Sequence, residues 1–392
     1  MERHQDDGRA NAGAASGGTR LMTYQDRLGR IPADHYWRED VLAEEIERIF
    51  KPSWLCVGFT QDLQADKDFI TAQIGPNSIV VQNFNGELKA FRNVCSHRFS
   101  RIQCGKGNRV LQCPYHGWTY DAAGKPIGIP LNAQSFGLDA ADKDALALHS
   151  YALETVGHFV FVRMSSDGPD LATFLGSFYD DLKHVSEVCP DRFEQASYDW
   201  AANWKLGMDN AAEGYHVPLV HADSFGLILS IDLKISTDAE HSRYVGNLKE
   251  RSLKWWGNVA KSIKLEPSDR YPQYGNFLIF PNIVVTFSYG AFLTFQTFDP
   301  TGPQTLRINS TSWLAKNNGR AARGLVVDSL KAFSEQVRNE DRDICALAQA
   351  GTREAPPGRP PLLGELEGRI AHFQTAYAAR MAAQDTEGLY VD

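Results

Sequence analysis

Three short stretches of this chain carry residues whose types and spacing could hold metal ions. Cys95-Ser96-His97 and Cys113-Pro114-Tyr115-His116 are separated by residues 98–112, and each offers one sulfur and one imidazole. Two thiolates with two imidazoles suit either a tetrahedral zinc or a [2Fe-2S] centre. In the second case both sulfurs sit on one iron and both histidines on the other. Further on, His216 and His221 flank Pro218. On one ideal helix they would stand roughly 140° apart, so a helix that stops near Tyr215, ahead of the proline, is needed to turn both toward one ion. Alone this spacing is common among surface and core histidines. Glu213, three residues before His216, falls on the same helix face. The third stretch is helix-periodic: Val326, Leu330, Phe333, Val337, Ile344 and Ala348 make an apolar stripe, and Asp341 fills its one gap. An acid on a buried stripe is costly unless it is paired or bound to metal. Glu340 and Asp343 are the competing acids, and both read as solvent-facing.

The elements that must position these residues change character along the chain. Residues 1–22 read as a flexible polar tail, and Tyr36–Phe50 as an amphipathic helix. From Trp54 to Val162 the runs are short and β-like, with Asn85-Gly86 a two-residue hairpin signal. Beyond Val162, helical runs at Asp170–Val188, Arg320–Ala350 and Gly364–Ala383 alternate with strand-like runs between Phe277 and Trp313. The expected fold is α+β: a small all-β module over residues 53–162, and an antiparallel sheet packed with helices built from 36–52 and 163–392.

Composition excludes several classes. The net charge of −8 argues against a dedicated nucleic-acid binder, and no apolar run approaches the ~20 residues that span a bilayer. The N-terminal stretch has no apolar core of a signal peptide, and six cysteines are too few for a disulfide scaffold, so a cytoplasmic protein is expected. No GxGxxG stands between a strand and a helix, so nicotinamide and flavin sites are absent from the reading.

The string CSHR…CPYHGWTYD closely resembles the cluster loops of Rieske proteins in the ring-hydroxylating oxygenase family, with Cys95, His97, Cys113 and His116 as ligands and Arg98 and Trp118 beside them. The bridging cysteines of respiratory Rieske proteins are replaced by Ser100 and Tyr115, Cys104 reads as a buried thiol, and Trp118 replaces a serine that donates to a sulfur. Fewer such bonds imply a low potential. NWKLGMDNAAEGYHVPLVH is similar to the family's mononuclear-iron motif, which implies His216 and His221 as iron ligands and Glu213 as the carboxylate bridging to a neighbouring subunit's Rieske histidine. Glu at that position resembles the choline, betaine and carnitine oxygenase branch. Asn203, Trp204 and Lys205 read as structural. NEDRDICALAQ resembles the segment supplying the third ligand, Asp341, and departs from it at Ala346.

The resemblance implies a helix-grip (START-like) catalytic domain, one Rieske [2Fe-2S] cluster and one mononuclear Fe(II). It implies a terminal oxygenase that uses O2 and electrons from a separate NAD(P)H reductase, directly or through a ferredoxin, in a homotrimer. The expected substrate is aromatic or an aromatic acid, or alternatively a quaternary ammonium or alkylamine that is oxygenated or dealkylated. Trp255, Trp256, Tyr271, Tyr274, Phe277, Phe287, Tyr289, Phe292 and Phe295 read equally as pocket lining or as core. The rival readings are an electron carrier without oxygenase activity and a zinc-binding module.

Overall fold

The structure, a computed structural model, describes residues 24–383; the expected tail at 1–22 lies outside the described residues. Two antiparallel seven-stranded sheets organise the chain. The first contains β1 (Leu55–Phe59), β2 (Asp68–Ile74), β3 (Asn77–Phe84), β4 (Glu87–Arg92), β5 (Lys106–Asn108), β8 (Ser150–Val156) and β9 (Phe159–Arg163), in the order β1-β9-β8-β4-β3-β2-β5. Phe84 pairs with Glu87, leaving Asn85 and Gly86 as a two-residue loop with φ of +54° and +96°. Both residue types tolerate that left-handed turn, which matches the twist of the strands it joins. A two-stranded ribbon, β6 (Thr119–Tyr120) with β7 (Pro126–Gly128), stands beside this sheet, and Cys95, Cys113 and Trp118 lie in a small core with Phe69, Val80 and Phe91.

The second sheet runs β10 (Asp191–Trp200), β16 (Thr305–Leu314), β15 (Phe292–Gly302), β14 (Ile283–Ser288), β13 (Tyr274–Ile279), β12 (His241–Leu248) and β11 (Leu229–Asp238). Because side chains alternate along a strand, this sheet has two different faces. Phe277, Val285, Phe287, Leu293 and Phe295 enter a large apolar core shared with Phe159 and Phe161 of the first sheet. The opposite face carries Tyr274, Asn276, Thr286, Ser288, Phe292 and Thr294, and is packed by helices.

Those helices are held by a buried ion pair. Lys205 and Glu45 are both fully buried and bonded to each other. Glu45 also accepts from the Trp204 indole at 2.7 Å and the Tyr377 hydroxyl at 2.7 Å. This carboxylate therefore ties three segments together, and a buried charge so satisfied escapes the cost of burying it alone. Asn203 caps the helix Trp204–Ala212 through the Lys205 N–H at 2.9 Å, and Gln349 of the long helix accepts from the Asn203 N–H at 2.7 Å. These contacts agree with a structural role for Asn203, Trp204 and Lys205.

Several expectations are corrected. Tyr36–Phe50 is not one helix: a short turn at Ala33–Tyr36 precedes Glu39–Glu45, which widens into a π-type turn at Ile46–Phe50. The stretch Asp170–Val188 divides into Leu171–Leu175 and Phe178–Val188 at Gly176, whose φ is +53°. Strands β10, β11 and β12 and the helix Glu250–Ile263 were not read from the sequence. Cys104 is exposed, not buried. Among the described residues, no helix is long and apolar enough to cross a membrane.

Candidate cluster site and candidate iron site

The two Cys/His strings fold into loops of the same shape. In one, the Cys95 N–H donates to the Ser100 carbonyl at 2.8 Å and the Phe99 N–H to the Cys95 carbonyl at 3.0 Å. In the other, the Cys113 N–H donates to the Trp118 carbonyl at 2.8 Å and the Gly117 N–H to the Cys113 carbonyl at 3.0 Å. The residue four beyond each cysteine must be left-handed to close such a loop; Gly117 does so at +73° without penalty, and Phe99 does so at +60° as a non-glycine.

The loops bring the two imidazoles side by side. The His97 and His116 rings are 4.6 Å apart by centroid, and both cysteine sulfurs are buried and unbridged. Trp118 stacks on His97 at 4.9 Å and 6°, which fixes that imidazole, whereas Arg98 lies over Tyr115, itself stacked on His116. His97 Nδ1 is buried with no hydrogen-bond partner among the described residues. Loss of solvent around the ring, with His116 and Arg98 nearby, lowers the His97 pKa from its ordinary value. A buried ring nitrogen left without a hydrogen-bond partner is available to a metal, so these residues fit a [2Fe-2S] group. Tyr120 was missed from the sequence: its hydroxyl lies 3.1 Å from Cys95 Sγ and receives the Ser96 N–H at 3.2 Å. One sulfur contact is thus retained although Trp118 brings none.

The second site forms where a helix fails to continue. Trp204–Ala212 ends one turn earlier than expected, Glu213 is extended, and a four-residue helix, Val217–Val220, begins with Pro218 in its first turn, where a missing N–H costs nothing. His216 and His221 are the flanking residues of that short helix, so neither is inside a helix and the 140° problem vanishes. The chain then folds back so tightly that a Cβ on Gly226 would meet the His221 carbonyl at 2.6 Å, which demands glycine.

Nε2 of His216 and of His221 point at the same oxygen, Asp341 Oδ1, at 3.6 and 3.0 Å. One donor atom from each of the three residues lies within 4.8 Å of the others. Asn210 Nδ2 donates to the same carboxylate at 2.8 Å. Behind the site, Glu213 accepts from His216 Nδ1 and from the Tyr215 and His216 N–H groups. Glu340 does the same for the other histidine: its Oε2 lies 2.6 Å from His221 Nδ1 and also accepts from the Ser224 hydroxyl. Burial opposes a charge on His221, yet Asp341 and Glu340 outweigh it and raise its pKa above 6.5. The same two carboxylates that favour positive charge here would favour a metal cation in place of the proton, and the two-histidine, one-carboxylate donor set suits Fe(II).

Glu340 is therefore not the solvent-facing rival expected of it, whereas Asp343 is exposed. The stripe also needs redrawing. Ile344 is 37% exposed, and the buried line continues from Asp341 through Cys345 (3%) and Gln349 (5%). Gln349 is polar and Cys345 falls beside Ile344 rather than in line with it, so the sequence pattern passed over both.

The iron-site donors open on a cavity of about 180 Å³. Of the nine candidate aromatics only Tyr274 and Phe292 line it; Trp200, Phe225, Tyr244, Phe298 and Phe333 join them. Trp256, Phe277, Phe287 and Phe295 belong to the core, and Trp255 is exposed. A larger cavity of about 470 Å³ lies between the two sheets but touches neither donor set.

Comparison with known proteins agrees with this geometry. Residues 53–152 match the Rieske [2Fe-2S] domain family, and residues 190–383 match the ring hydroxylating alpha subunit (catalytic domain) family. The chain belongs to the Rieske oxygenase α-subunit family. It is 29% identical to the carnitine monooxygenase oxygenase subunit of Acinetobacter pittii, over 64% of this chain and 66% of that protein. It is 33% identical to the glycine betaine monooxygenase oxygenase subunit of Chromohalobacter salexigens, over 52% of this chain and 45% of that protein. Its match to the biphenyl 2,3-dioxygenase α subunit of Rhodococcus jostii is 33% over 50% of this chain and 43% of that one. The matches thus span about two thirds of the first of these relatives and just under half of the other two. Among solved structures, a quaternary ammonium Rieske monooxygenase with L-carnitine superposes with a TM-score of 0.74 at 22% identity, covering 91% of this chain and 96% of that chain. Naphthalene 1,2-dioxygenase from Rhodococcus sp. superposes with a TM-score of 0.72 at 19% identity, covering 91% and 95%. This Rieske oxygenase subunit thus pairs a [2Fe-2S] domain with a catalytic domain of the kind that binds mononuclear iron.

Proposed function

We propose that this chain is the terminal oxygenase of a multicomponent system, hydroxylating a small organic substrate with O2 and electrons supplied by a separate NAD(P)H reductase, directly or through a ferredoxin. The observation that carries the reading is the convergence of His216, His221 and Asp341 on one point that opens on a substrate-sized cavity, in the same chain as the paired Cys/His loops. Cys95 and Cys113 with His97 and His116 would hold the cluster, and His216, His221 and Asp341 the iron. When bound, the cluster supplies single electrons and the iron binds and activates dioxygen.

The chain's own residues do the rest. Glu213 and Glu340 hold the two iron histidines by Nδ1, so that each presents Nε2 to the site. Asn210 orients Asp341. The apolar aromatic walls keep bulk water from the substrate's reacting carbon. At the cluster, the exposed Phe99 (80%), Tyr115 and Leu131 form an apolar rim suited to a protein partner. That rim supports electron transfer across a subunit interface in a homotrimer, with Glu213 linking the neighbour's cluster histidine to His216. A cytoplasmic location accords with the free cysteines.

Aromatic or aromatic-acid hydroxylation fits the cavity lining and the similarity to biphenyl dioxygenase. A second reading, oxidation of a quaternary ammonium, is favoured by the similarity to the carnitine and glycine betaine monooxygenase subunits and by the glutamate at position 213.

The test is iron content with dioxygen uptake. The purified protein should carry three irons per chain and acid-labile sulfide. Asp341→Ala should lower iron to two with the Rieske absorption intact, and Asp343→Ala should keep three. A wild-type content of two irons would leave only an electron carrier. Zinc in place of iron would favour the binding-module reading.

A further inference from the structure

The cavity beside the iron-site donors contains one charge that the proposed chemistry does not use. Arg338 lies on the long helix Arg320–Glu354, three residues before Asp341, and lines the same cavity. Residues spaced in this way share a helix face, with Cβ atoms roughly 5–6 Å apart. Its guanidinium sits over the Tyr198 ring at 3.7 Å. That stacking holds the planar group in place while leaving its N–H donors free. Glu335, one turn back on the same helix, and Glu194 also lie near Tyr198, but among the described residues no carboxylate forms an ion pair with Arg338.

The cavity's own acids are already engaged. Glu213 is taken by His216 and two backbone N–H groups, and Asp341 by the two histidines and Asn210. The remaining polar lining, including Asn276, Thr286 and Gln296, is neutral. A half-buried guanidinium with five donors and no ion-paired carboxylate is a ready site for a planar carboxylate, which it can grip with two parallel hydrogen bonds.

We propose that the substrate of this site carries a carboxylate and that Arg338 receives it. The rest of the molecule then extends over the His216–His221–Asp341 group, against Phe225, Tyr244 and Tyr274. The short reach from Arg338 to Asp341 and the cavity of about 180 Å³ fit a single ring or a short chain. Two carboxylate classes satisfy this geometry: an aromatic acid with its ring on the aromatic walls, and a betaine with its ammonium on them. A cation lacking a carboxylate meets an unneutralised arginine and is disfavoured. The inference rests on the oxygenase reading for the identity of the site, but its test does not require turnover.

The experiment is anaerobic titration calorimetry of the holoenzyme with benzoate, benzamide, glycine betaine and the carboxamide of glycine betaine, repeated with Arg338→Gln and Arg338→Lys. At least one acid should bind about 10- to 100-fold more tightly than its carboxamide, the range expected of hydrogen bonds to a charged group. Arg338→Gln should erase that preference by weakening the acid while leaving the carboxamide unchanged. Arg338→Lys should keep part of it, and both variants should keep three irons and the Rieske spectrum. The acid that binds identifies the class. The proposal is overturned if neither acid is preferred over its carboxamide, or if Arg338→Gln preserves the preference. Dioxygen uptake by the same preparation tests the oxygenase reading separately: protein that binds the acid but never consumes dioxygen keeps the anion site and loses that reading.

Discussion

Removing Glu340 tests whether the carboxylate behind His221 tunes the iron site. In the folded protein its Oε2 stands 2.6 Å from His221 Nδ1, receives the Ser224 hydroxyl, and is steadied by Gln336 Nε2 at 3.0 Å on its other oxygen. A hydrogen bond to a charged group contributes about 1.5–3 kcal/mol. The Glu340 side chain is 24% exposed, so water recovers part of that loss, and the lower half of the range applies. About 1.5–2 kcal/mol corresponds to roughly a 10- to 30-fold weaker hold on Fe(II), within the ~10–100-fold range known for groups behind metal ligands. Glu340→Gln keeps an acceptor for the Nδ1–H but not the charge, and should fall between wild type and Glu340→Ala. The assay is anaerobic Fe(II) titration of cluster-loaded, iron-depleted protein against a ferrous chelator, with the Rieske absorption as the check on folding. Asp343→Ala, on an exposed acid of the same helix, is the control. If Glu340→Ala binds Fe(II) within twofold of wild type, or if Asp343→Ala weakens it equally, the carboxylate behind His221 does not tune the site and the reasoning fails.

Tyr120→Phe should lower the cluster's midpoint potential by about 20–60 mV, because the lost hydrogen bond to Cys95 stabilises the more negative reduced state; that is about 0.5–1.5 kcal/mol in a one-electron couple, read by an EPR-monitored redox titration, and a rise in potential would contradict it. Glu213→Gln should retain three irons and reduction by the reductase yet lose nearly all product, and in single turnover its pre-reduced cluster should fail to reoxidise when substrate and O2 are added; normal product yield would move the link between the sites elsewhere. Asp209 is buried beside Tyr36 and Gln374, and burial lifts its pKa from 3.8 to about 7 against their hydrogen bonds. The folded state thus holds the proton more tightly than the unfolded chain, so this group's contribution is complete below about pH 4 and is lost as pH rises through 7. Asp209→Asn should accordingly raise the melting temperature relative to wild type at pH 8 and not at pH 4, and the opposite ordering would mean that the carboxylate is favourably charged in the fold.

What the sequence determined by itself is local. The cysteines and histidines of the two matching loops are spaced within a few residues, and each loop closes on its own backbone through a left-handed position, so spacing and flanking types were enough to single them out as candidates. The same holds for the Asn85-Gly86 hairpin, whereas the helix before His216 stops at Ala212, well ahead of Pro218. Asp341 could be singled out because an acid interrupting an apolar helix face is visible in one dimension, and its carboxylate does lie beside His216 and His221.

The tertiary structure decided everything that depends on a partner far along the chain. Glu340 looked solvent-facing because nothing near it in sequence shows that His221 and Ser224 fold against it. Which aromatics enter the cavity followed from strand register, since one residue's shift exchanges the cavity face for the core face: Tyr274 and Phe292 fall on one side, Phe277 and Phe295 on the other. Cys104 reads like a buried thiol by type and is exposed by position. Arg338 has no local signal at all. Its meaning comes from Tyr198 stacked under it and from cavity acids already engaged by other groups, contacts that exist only once the sheet and the long helix are packed together.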